Sequence, residues 1–254
     1  HQITPEWNKI QKLLSERKRP KAKVTLSYGK DDTGNLYNLE NIKHFREIVL
    51  NDGGPVDLVT GDGGLDYSVN FNCQEQMSFH LLFCEIVSAF SVLKKGGFFV
   101  LKLFDIHTSN TLQMLFLLSN YFDEVILTKP YTSRPANSEK YVVCKGFTGI
   151  TEEYLNILYG VVEKWSKTKK INKYVDNIFA MKVPPYFKKN IMNYCEYVSR
   201  IQITNIIKTI LSRNFNKQQI DSLLRSQIVH AIYWAIKYKQ PINFKSPFFK
   251  AFRG

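Results

Sequence analysis

The sequence predicts an α/β protein: an open, mostly parallel β-sheet with an antiparallel edge, followed by a helical appendage. Segments rich in β-branched and aromatic residues alternate with segments of helical periodicity over the first 149 residues. The last two β-rich segments, residues 124–129 and 140–145, are separated by ten residues. That is too short for a crossover helix, so these two strands should pair antiparallel. After residue 149 only helical patterns follow.

The spacing of apolar residues and the positions of Gly and Pro set the expected elements. The first part, residues 1–149, should contain helices near residues 7–14 and at 39–49, 74–95 and 109–121. Its strands should lie at 24–28, 56–60 and 98–104, followed by the final strand pair. The strand at 98–104 should be buried on both faces. The second part, residues 150–254, should contain helices at 154–165, 186–212 and 217–239. An apolar stripe on the last helix should pack against a neighbour.

Charge is distributed unevenly along the chain. The sequence has 35 Lys and Arg against 22 Asp and Glu, a formal net charge of +13. Residues 1–150 hold 17 basic and 16 acidic residues, whereas residues 151–254 hold 18 basic and 6 acidic residues. A basic part with net charge +12 favours a polyanionic partner, and nucleic acid is favoured over a membrane. The alternative is a Lys-rich surface that is merely solvated.

Composition excludes several other classes of protein. A chain of 254 residues with 44% hydrophobic residues can bury a sizeable core and is not expected to be disordered. No apolar run approaches the roughly 18 residues that a membrane-spanning helix needs. The four cysteines lie far apart, which favours reduced thiols and supports neither a zinc site nor a disulfide framework. No export signal is visible, and a chain that begins at His1 is expected to be a fragment or a processed form.

Three polar residues stand near the ends of predicted strands, where open α/β sheets bind ligands. Asp62 lies in a Gly-Asp-Gly-Gly run whose small residues would let a ligand approach; an ordinary turn aspartate is the alternative. Lys102 lies in an otherwise apolar strand, where an ammonium needs a carboxylate partner unless it reaches solvent at the edge. Glu139 precedes the last strand, where it could also simply cap the loop.

These residues belong to motifs that resemble those of the FtsJ-like RNA 2′-O-methyltransferases, in the branch of the mRNA cap-1 enzymes. Residues 129–146 read KPYTSRPANSEKYVVCKG, and both the S-R-P-A-N-S-E run and the Y-V-V-C-K-G strand are specific. The D-G-G and L-K-L-F-D motifs are individually weak. The resemblance covers about residues 20–149 and implies a Rossmann-like S-adenosylmethionine methyltransferase sheet.

The resemblance also implies an activity and a catalytic site. The activity is methylation of the ribose 2′-oxygen of the 5′-terminal nucleotide of capped mRNA. The family uses a Lys-Asp-Lys-Glu tetrad, whose last three members match Asp62, Lys102 and Glu139. Two carboxylates favour the charged form of Lys102, which we therefore expect to orient the hydroxyl and stabilise the developing alkoxide rather than act as a base. Arg134 and Asn137 are expected to contact the RNA backbone.

The expected cofactor is S-adenosylmethionine, bound by Asp31, Asp32, Gly61 and Asp62. For Asp31 and Asp32 a surface turn is the alternative role. Family members carry a G-x-G-P-G-G loop after the first strand, with the first tetrad lysine upstream, and neither is visible here. Either the native protein has further N-terminal residues, which we favour, or the chain is a degenerate relative that has lost cofactor binding.

The basic second part is expected to hold the RNA. The predicted phosphate contacts are Lys167, Lys169, Lys170, Lys173, Lys188 and Lys189, with Tyr174 and Tyr186 available to stack on bases. Other capping-enzyme domains, or an N-terminal segment outside this chain, are further expected partners. The expected location is the nucleus or the cytoplasm, or a viral factory for a viral protein. The competing interpretation is a catalytically silent RNA-binding subunit with the same fold.

Overall fold

The computed structural model describes residues 24–65, 67, 73–169, 175 and 177–250, so the predicted helix near residues 7–14 lies outside them. These residues form two compact units, one within His1–Thr128 and Lys140–Lys189 and the other within Lys129–Glu139 and Asn190–Gly254. The division of the chain after residue 149 stays a prediction; the helix that follows that point belongs to the first unit.

The first unit alternates helices and strands. Its elements are α1 (Leu39–Asn51), β1 (Val56–Gly61), α2 (Gln74–Val92), β2 (Leu93–Leu103), α3 (Ser109–Tyr121), β3 (Phe122–Thr128), β4 (Lys140–Phe147) and α4 (Glu152–Lys169). The strand order is β1-β2-β4-β3. β1 is parallel to β2, whereas β4 is antiparallel to both β2 and β3. The mixed α/β class and the antiparallel edge are therefore confirmed, although only one of the three pairings is parallel.

The prediction of a strand at residues 24–28 is wrong. This segment has no regular secondary structure, and its apolar residues Val24 and Leu26 are 45% and 39% exposed. A strand needs a neighbour that takes its backbone hydrogen bonds, and an alternating apolar pattern does not itself supply one. The sheet formed by the described residues therefore contains fewer parallel pairs than the sequence predicts.

The strand that carries Lys102 is longer, and less buried, than predicted. Helix α2 ends three residues before the predicted boundary, where Leu93 takes an extended backbone conformation and begins β2. The side chains of β2 then alternate, with Phe99 and Leu101 buried and Phe98 46% exposed. Only one face of this strand is fully buried, because the period of two in a strand places neighbouring side chains on opposite faces.

Polar side chains fix the starts of α1 and α3. Asn38 accepts a hydrogen bond from the backbone N–H of Glu40, and Thr108 accepts one from that of Thr111. The carboxylate of Glu75, which is 4% exposed, accepts the backbone N–H groups of the two residues before α3 at 2.8 to 3.0 Å. These bonds satisfy donors that a helix start otherwise leaves unpaired.

Helix α2 forms the centre of the first unit. Fifteen of its 19 residues are buried, and it packs against β1, β2, α1, α3 and α4. Parallel strands need a long crossover connection, which α2 supplies between β1 and β2. A crossover helix covered on all sides should be apolar around its whole circumference, as α2 largely is.

An aromatic cluster holds α4 against α2. The ring of Trp165, 6% exposed, lies 5.0 Å from that of Phe79 and 5.7 Å from that of Phe83, measured between centroids. It also stacks on His80 at 4.8 Å with an interplanar angle of 13°. Aromatic pairs of this kind contribute about 0.5–1.5 kcal/mol beyond their burial. The first helix of the basic part of the chain is thereby anchored to the sheet unit.

The second unit is mainly helical. It contains most of α5 (Pro185–Leu211), a 3₁₀ turn (Ser212–Asn214), α6 (Lys217–Lys237) and the short α7 (Pro247–Lys250). The predicted helices at 186–212 and 217–239 are confirmed to within two residues. Asn216 and Gln219 cap α6 reciprocally at 2.9 Å each. The predicted apolar stripe is only partly covered, since Ala235 is 8% exposed but Ile220 and Leu223 are each 44% exposed.

Two further features concern the described residues as a set. None of their helices is long and apolar enough to cross a membrane, and none of their His, Cys, Asp and Glu side chains form a group that could hold a metal ion. No disulfide joins the four cysteines, all of which lie in the described ranges, and Cys84 and Cys144 are buried.

We expect Trp165→Ala to lower the free energy of unfolding by about 3–5 kcal/mol, because it removes the ring that packs on α2. Urea denaturation followed by circular dichroism measures this loss. Ile157→Ala is the control, since Ile157 is 52% exposed on the same helix, and a loss below about 0.5 kcal/mol is expected. Equal losses in the two variants would contradict the anchoring role of Trp165.

Candidate active site

The carboxyl ends of the two parallel strands lie side by side. In the register of β1 and β2, Gly61 is paired with Leu101. Asp62 follows Gly61, and Lys102 follows Leu101. These two residues therefore lie side by side at the carboxyl ends of the strands. This edge of the sheet is where open α/β sheets bind their ligands.

Asp62 and Lys102 form an ion pair between Asp62 Oδ1 and Lys102 Nζ. The Lys102 side chain is 19% exposed, whereas that of Asp62 is 67% exposed. The ammonium also lies 5.9 Å from the centroid of the Phe104 ring, within range of a cation–π contact. Asp62 thus supplies the carboxylate that a lysine in an apolar strand requires, and its exposed side chain keeps the pair open to solvent.

A buried carboxyl group lies against the loop that carries Asp62. Glu85 of α2 is 7% exposed, and its Oε1 accepts a hydrogen bond from the backbone N–H of Gly63 at 2.7 Å. Burial raises the pKa of Glu85 to about 7; the Gly63 hydrogen bond and the Lys102 ammonium oppose this rise, and the charge of Asp62 adds to it. Sequence analysis missed Glu85, although a lone acidic residue in the apolar run 79–92 was a usable signal.

The glycines around Asp62 are required by protein contacts on one side of the loop. A Cβ on Gly61 would lie 2.7 Å from Leu101 Cδ1, and a Cβ on Gly63 would lie 2.7 Å from Glu85 Oε1. Of these glycines, only Gly64 has no described residue within 4 Å of the position that a Cβ would take. Gly61 and Gly63 permit close packing of β2 and α2, and the approach of a ligand to this loop stays a prediction.

Asp31 organises the turn that precedes α1. Its Oδ1 accepts hydrogen bonds from the backbone N–H and the hydroxyl of Thr33 at 3.1 and 2.6 Å, and one from Asn41 Nδ2 at 2.8 Å. Its Oδ2 accepts one from Asn38 Nδ2 at 2.7 Å. These bonds stabilise the ionised form and hold the pKa of Asp31 well below its usual range, and the bond from the Thr33 side chain has the largest effect. Asp32 adopts a left-handed φ of 57°. Both residues take the turn role, and their contact with a cofactor stays a prediction.

A second ion pair joins β2 to β4. Lys140, 3% exposed, donates from Nζ to Asp105 Oδ1 at 3.2 Å and to the backbone carbonyl of Phe104 at 3.3 Å. Asp105 lies two residues beyond the end of β2, so the pair fixes the carboxyl end of that strand. Sequence analysis did not single out Lys140, because a lysine at the start of a strand is usually solvated.

The loop Lys129–Glu139 belongs to the second unit, and its polar groups bind one another. Lys129 Nζ donates to Asn137 Oδ1 at 2.8 Å, to the backbone carbonyl of Glu139 at 2.7 Å and to the Ser133 hydroxyl at 3.2 Å. Asn137 Nδ2 donates to Glu139 Oε2 at 3.2 Å. Asn137 thus links Lys129 to Glu139, a structural role that sequence analysis missed. The RNA contacts of Asn137 and of the exposed Arg134, and the catalytic role of Glu139, stay predictions.

Of the six lysines predicted to contact phosphates, Lys167, Lys188 and Lys189 have described side chains, and all three are exposed. Lys167 is 72% exposed and forms an ion pair with Glu163, one helical turn earlier, at 3.0 Å. Lys170, Lys173 and the side chain of Lys169 lie outside the described residues, as does Tyr174. Their contacts with RNA stay predictions.

Comparison with known proteins identifies the family. Residues 7–147 match the FtsJ-like methyltransferase family. The chain is 38% identical over 157 residues to the cap-specific mRNA (nucleoside-2′-O-)-methyltransferase 1 of Bos taurus, covering 61% of this chain and 19% of that protein. Identity to the Dictyostelium discoideum protein of the same name is 37% over 144 residues, covering 56% and 19%. The 1A protein of Caenorhabditis briggsae is 32% identical over 227 residues, covering 84% and 25%.

The matched part of this chain therefore spans 19% to 25% of the length of these curated relatives. The family match itself covers more than half of the chain and includes β1, β2 and β4 with the residues at their ends. The chain belongs to the FtsJ-like methyltransferase family.

Proposed function

We propose that this chain carries the methyl-transfer centre of a cap-specific mRNA 2′-O-ribose methyltransferase that acts on the 5′-terminal nucleotide. The observation that carries the proposal is the Asp62–Lys102 ion pair at the carboxyl ends of the parallel strands. The membership in the FtsJ-like family and the names of the relatives support the same activity.

Lys102 is proposed to act on the ribose 2′-hydroxyl. Its ammonium is held by Asp62 and largely removed from solvent, which strengthens its electrostatic effect on a nearby oxygen. It would donate a hydrogen bond to the hydroxyl oxygen and stabilise the negative charge that this oxygen acquires as its proton passes to solvent, to which the pair is open. Glu139 is proposed as a third member of the group on the strength of the family resemblance.

The proposed cofactor, S-adenosylmethionine, supplies an electrophilic methyl group on a positively charged sulfur. The residues at this edge of the sheet fit that group: Asp62 offers a partly exposed carboxylate, and Gly64 leaves space open among the described residues. Gly61 and the turn of Asp31 and Asp32 are the other proposed contacts. Holding the hydroxyl oxygen in line with the methyl carbon can contribute roughly 7–11 kcal/mol to the rate acceleration.

Capped mRNA is the proposed substrate, and the lysine-rich second part of the chain is proposed to hold it. Residues 151–254 carry a net charge of +12, which suits a polyanion. Arg134 and Asn137 are proposed to contact the RNA backbone near the reacting nucleotide. Further capping-enzyme domains or an N-terminal segment are proposed to complete the active protein, in the nucleus or the cytoplasm.

We expect Lys102→Ala to lower kcat for methyl transfer by at least about 10²–10³-fold, because the developing alkoxide loses its cationic donor. Affinity for RNA should change by less than about twofold, since Lys102 acts on one hydroxyl and the many phosphate contacts remain. Lys102→Arg should fare little better, because a planar guanidinium cannot replace a compact ammonium beside Asp62. Transfer of labelled methyl to capped and uncapped RNA measures the activity, and filter binding measures the affinity.

Lys145→Ala is the matched control, since it removes an exposed lysine that is also paired with a carboxylate, that of Glu124. Retained turnover in Lys102→Ala would remove Lys102 from the mechanism. Equal methylation of capped and uncapped RNA would contradict cap specificity. RNA binding without any transfer by the complete wild-type protein would favour a catalytically silent subunit.

A second prediction concerns RNA affinity. Replacing the lysines at 167, 169, 170 and 173 by Gln should reduce the slope of log K against log salt concentration by roughly 0.7 for each phosphate that is no longer neutralised. Fluorescence anisotropy with capped RNA across a salt series measures this slope. The control replaces Lys30, Lys43, Lys94 and Lys145, four lysines that pair with carboxylates at the surface of the first unit. A slope that is unchanged, or changed equally by the control, would assign the 167–173 stretch to solvation.

A further inference from the structure

Glu85 is a buried acidic residue whose position the proposed chemistry does not yet explain. It lies on α2 among fully buried neighbours such as Phe83 and Ile86, and its own exposure is 7%. Its Oε2 atom is buried and has no hydrogen-bond partner among the described residues. A half-satisfied carboxyl in such surroundings costs several kcal/mol relative to an apolar side chain, so a stabilising role alone does not account for it.

The carboxyl group of Glu85 lies against the backbone on both sides of Asp62. Oε1 accepts the Gly63 N–H at 2.7 Å. A Cβ on Gly63 would lie 2.7 Å from the same oxygen, and a Cβ on Gly61 would lie 3.2 Å from Glu85 Cδ. Glu85 therefore binds the residue after Asp62 and leaves little room for a side chain at the residue before it, so glycine suits both positions.

We propose that Glu85 is a positioning residue of the methyl-transfer site, which fixes the Gly61–Gly63 backbone so that Asp62 faces Lys102. This inference rests on the proposed function and deepens it, because it assigns a role to a residue outside the family tetrad. Glu85 acts through the loop and through Asp62. It is not a catalytic residue, since its carboxyl is enclosed by α2, β2 and the loop.

The surroundings of Glu85 move its change of charge to near pH 7. Lys102 of β2, Asp62 of the loop, Tyr37 of the segment before α1 and Cys84 of the same helix interact with it electrostatically. Burial raises the pKa of Tyr37 to about 12 and raises the pKa of the Cys84 thiol well above its usual range. These two groups stay neutral between pH 6 and pH 8, whereas Glu85, with a pKa of about 7, changes its charge there.

The charge of the reacting oxygen determines whether ionisation of Glu85 raises or lowers the rate of methyl transfer. An ionised Glu85 adds a buried negative charge beside the Asp62–Lys102 pair and attracts the ammonium that must serve that oxygen. The oxygen itself becomes negative during transfer, so a further anion nearby raises the energy of the transition state. The neutral form is therefore the competent one, and its contribution is lost as the pH rises through the pKa of Glu85.

The test compares Glu85→Gln and Glu85→Leu with the wild type in the complete protein. Gln keeps the acceptor for Gly63 and cannot ionise, whereas Leu has a similar volume and no acceptor. We expect kcat of Glu85→Leu to be about tenfold below that of Glu85→Gln at pH 6, with KM for capped RNA within about twofold. The ratio of kcat for Glu85→Gln to that of the wild type should rise about tenfold between pH 6 and pH 8. Glu47→Gln, which removes an exposed carboxylate of α1, is the control. The ratio of its kcat to that of the wild type should stay constant between pH 6 and pH 8.

A readout that needs no methyl transfer separates this inference from the proposed function. The amide resonance of Gly63 should titrate with a midpoint near pH 7 in the wild type and show no such step in Glu85→Gln. This comparison isolates Glu85 from the histidines, which both proteins retain. A titrating amide without any methyl transfer would overturn the proposed function and keep the positioning of the loop. An amide that does not titrate, or a kcat ratio that stays constant with pH while transfer proceeds, would overturn the role of Glu85.

Discussion

The parallel pairing of β1 and β2 is the constraint on which the rest of the first unit depends. Two adjacent parallel strands require a crossover, and the crossover here is α2, which packs on both strands and on three other helices. Each polar group on so buried a helix must find a partner. Glu75 binds the backbone before α3, Ser88 binds the carbonyl of Cys84, and Glu85 binds the loop after β1. The same pairing brings Asp62 level with Lys102, so fold and site have a common origin.

The sequence predicted those parts of the fold that local patterns and connection lengths determine. The helix at Ser109–Tyr121 and the antiparallel edge were predicted because their signals are local: apolar residues at helical spacing, and a connection too short for a crossover. Residues 24–28 have the composition of a strand, yet strand formation depends on a partner elsewhere in the chain, which composition does not report. The extent of burial of β2 was overestimated for a related reason, since the number of covered faces is a tertiary property.

Sequence analysis singled out Lys102, the charge that interrupts an apolar strand, and missed Glu85, the charge that interrupts an apolar helix. Lys102 was identified because an ammonium between leucines needs a partner, and that argument applies equally to Glu85 between Cys84 and Ile86. The difference lies in expectation: helices commonly present Glu to solvent, so a single acidic residue on a helix carries less information unless the helix is known to be buried. The bonds from Asn137 to Lys129 and Glu139 were beyond prediction, because they depend on how an irregular loop folds on itself.

Affinity for RNA and methyl-transfer chemistry are assigned to chemically different groups of this chain, and this difference makes them separable. Asp62 and Lys102 together carry no net charge, so their pair adds little to the attraction of a polyanion, whereas residues 151–254 carry +12. On the proposed function, a change in the pair acts on the energy of a single oxygen. A change among the lysines would instead act on the release of counterions along the strand. A buried carboxyl whose pKa is raised to about 7 is consistent with this division, because its neutral form adds no further anion to oppose the reacting oxygen or the approach of the phosphates.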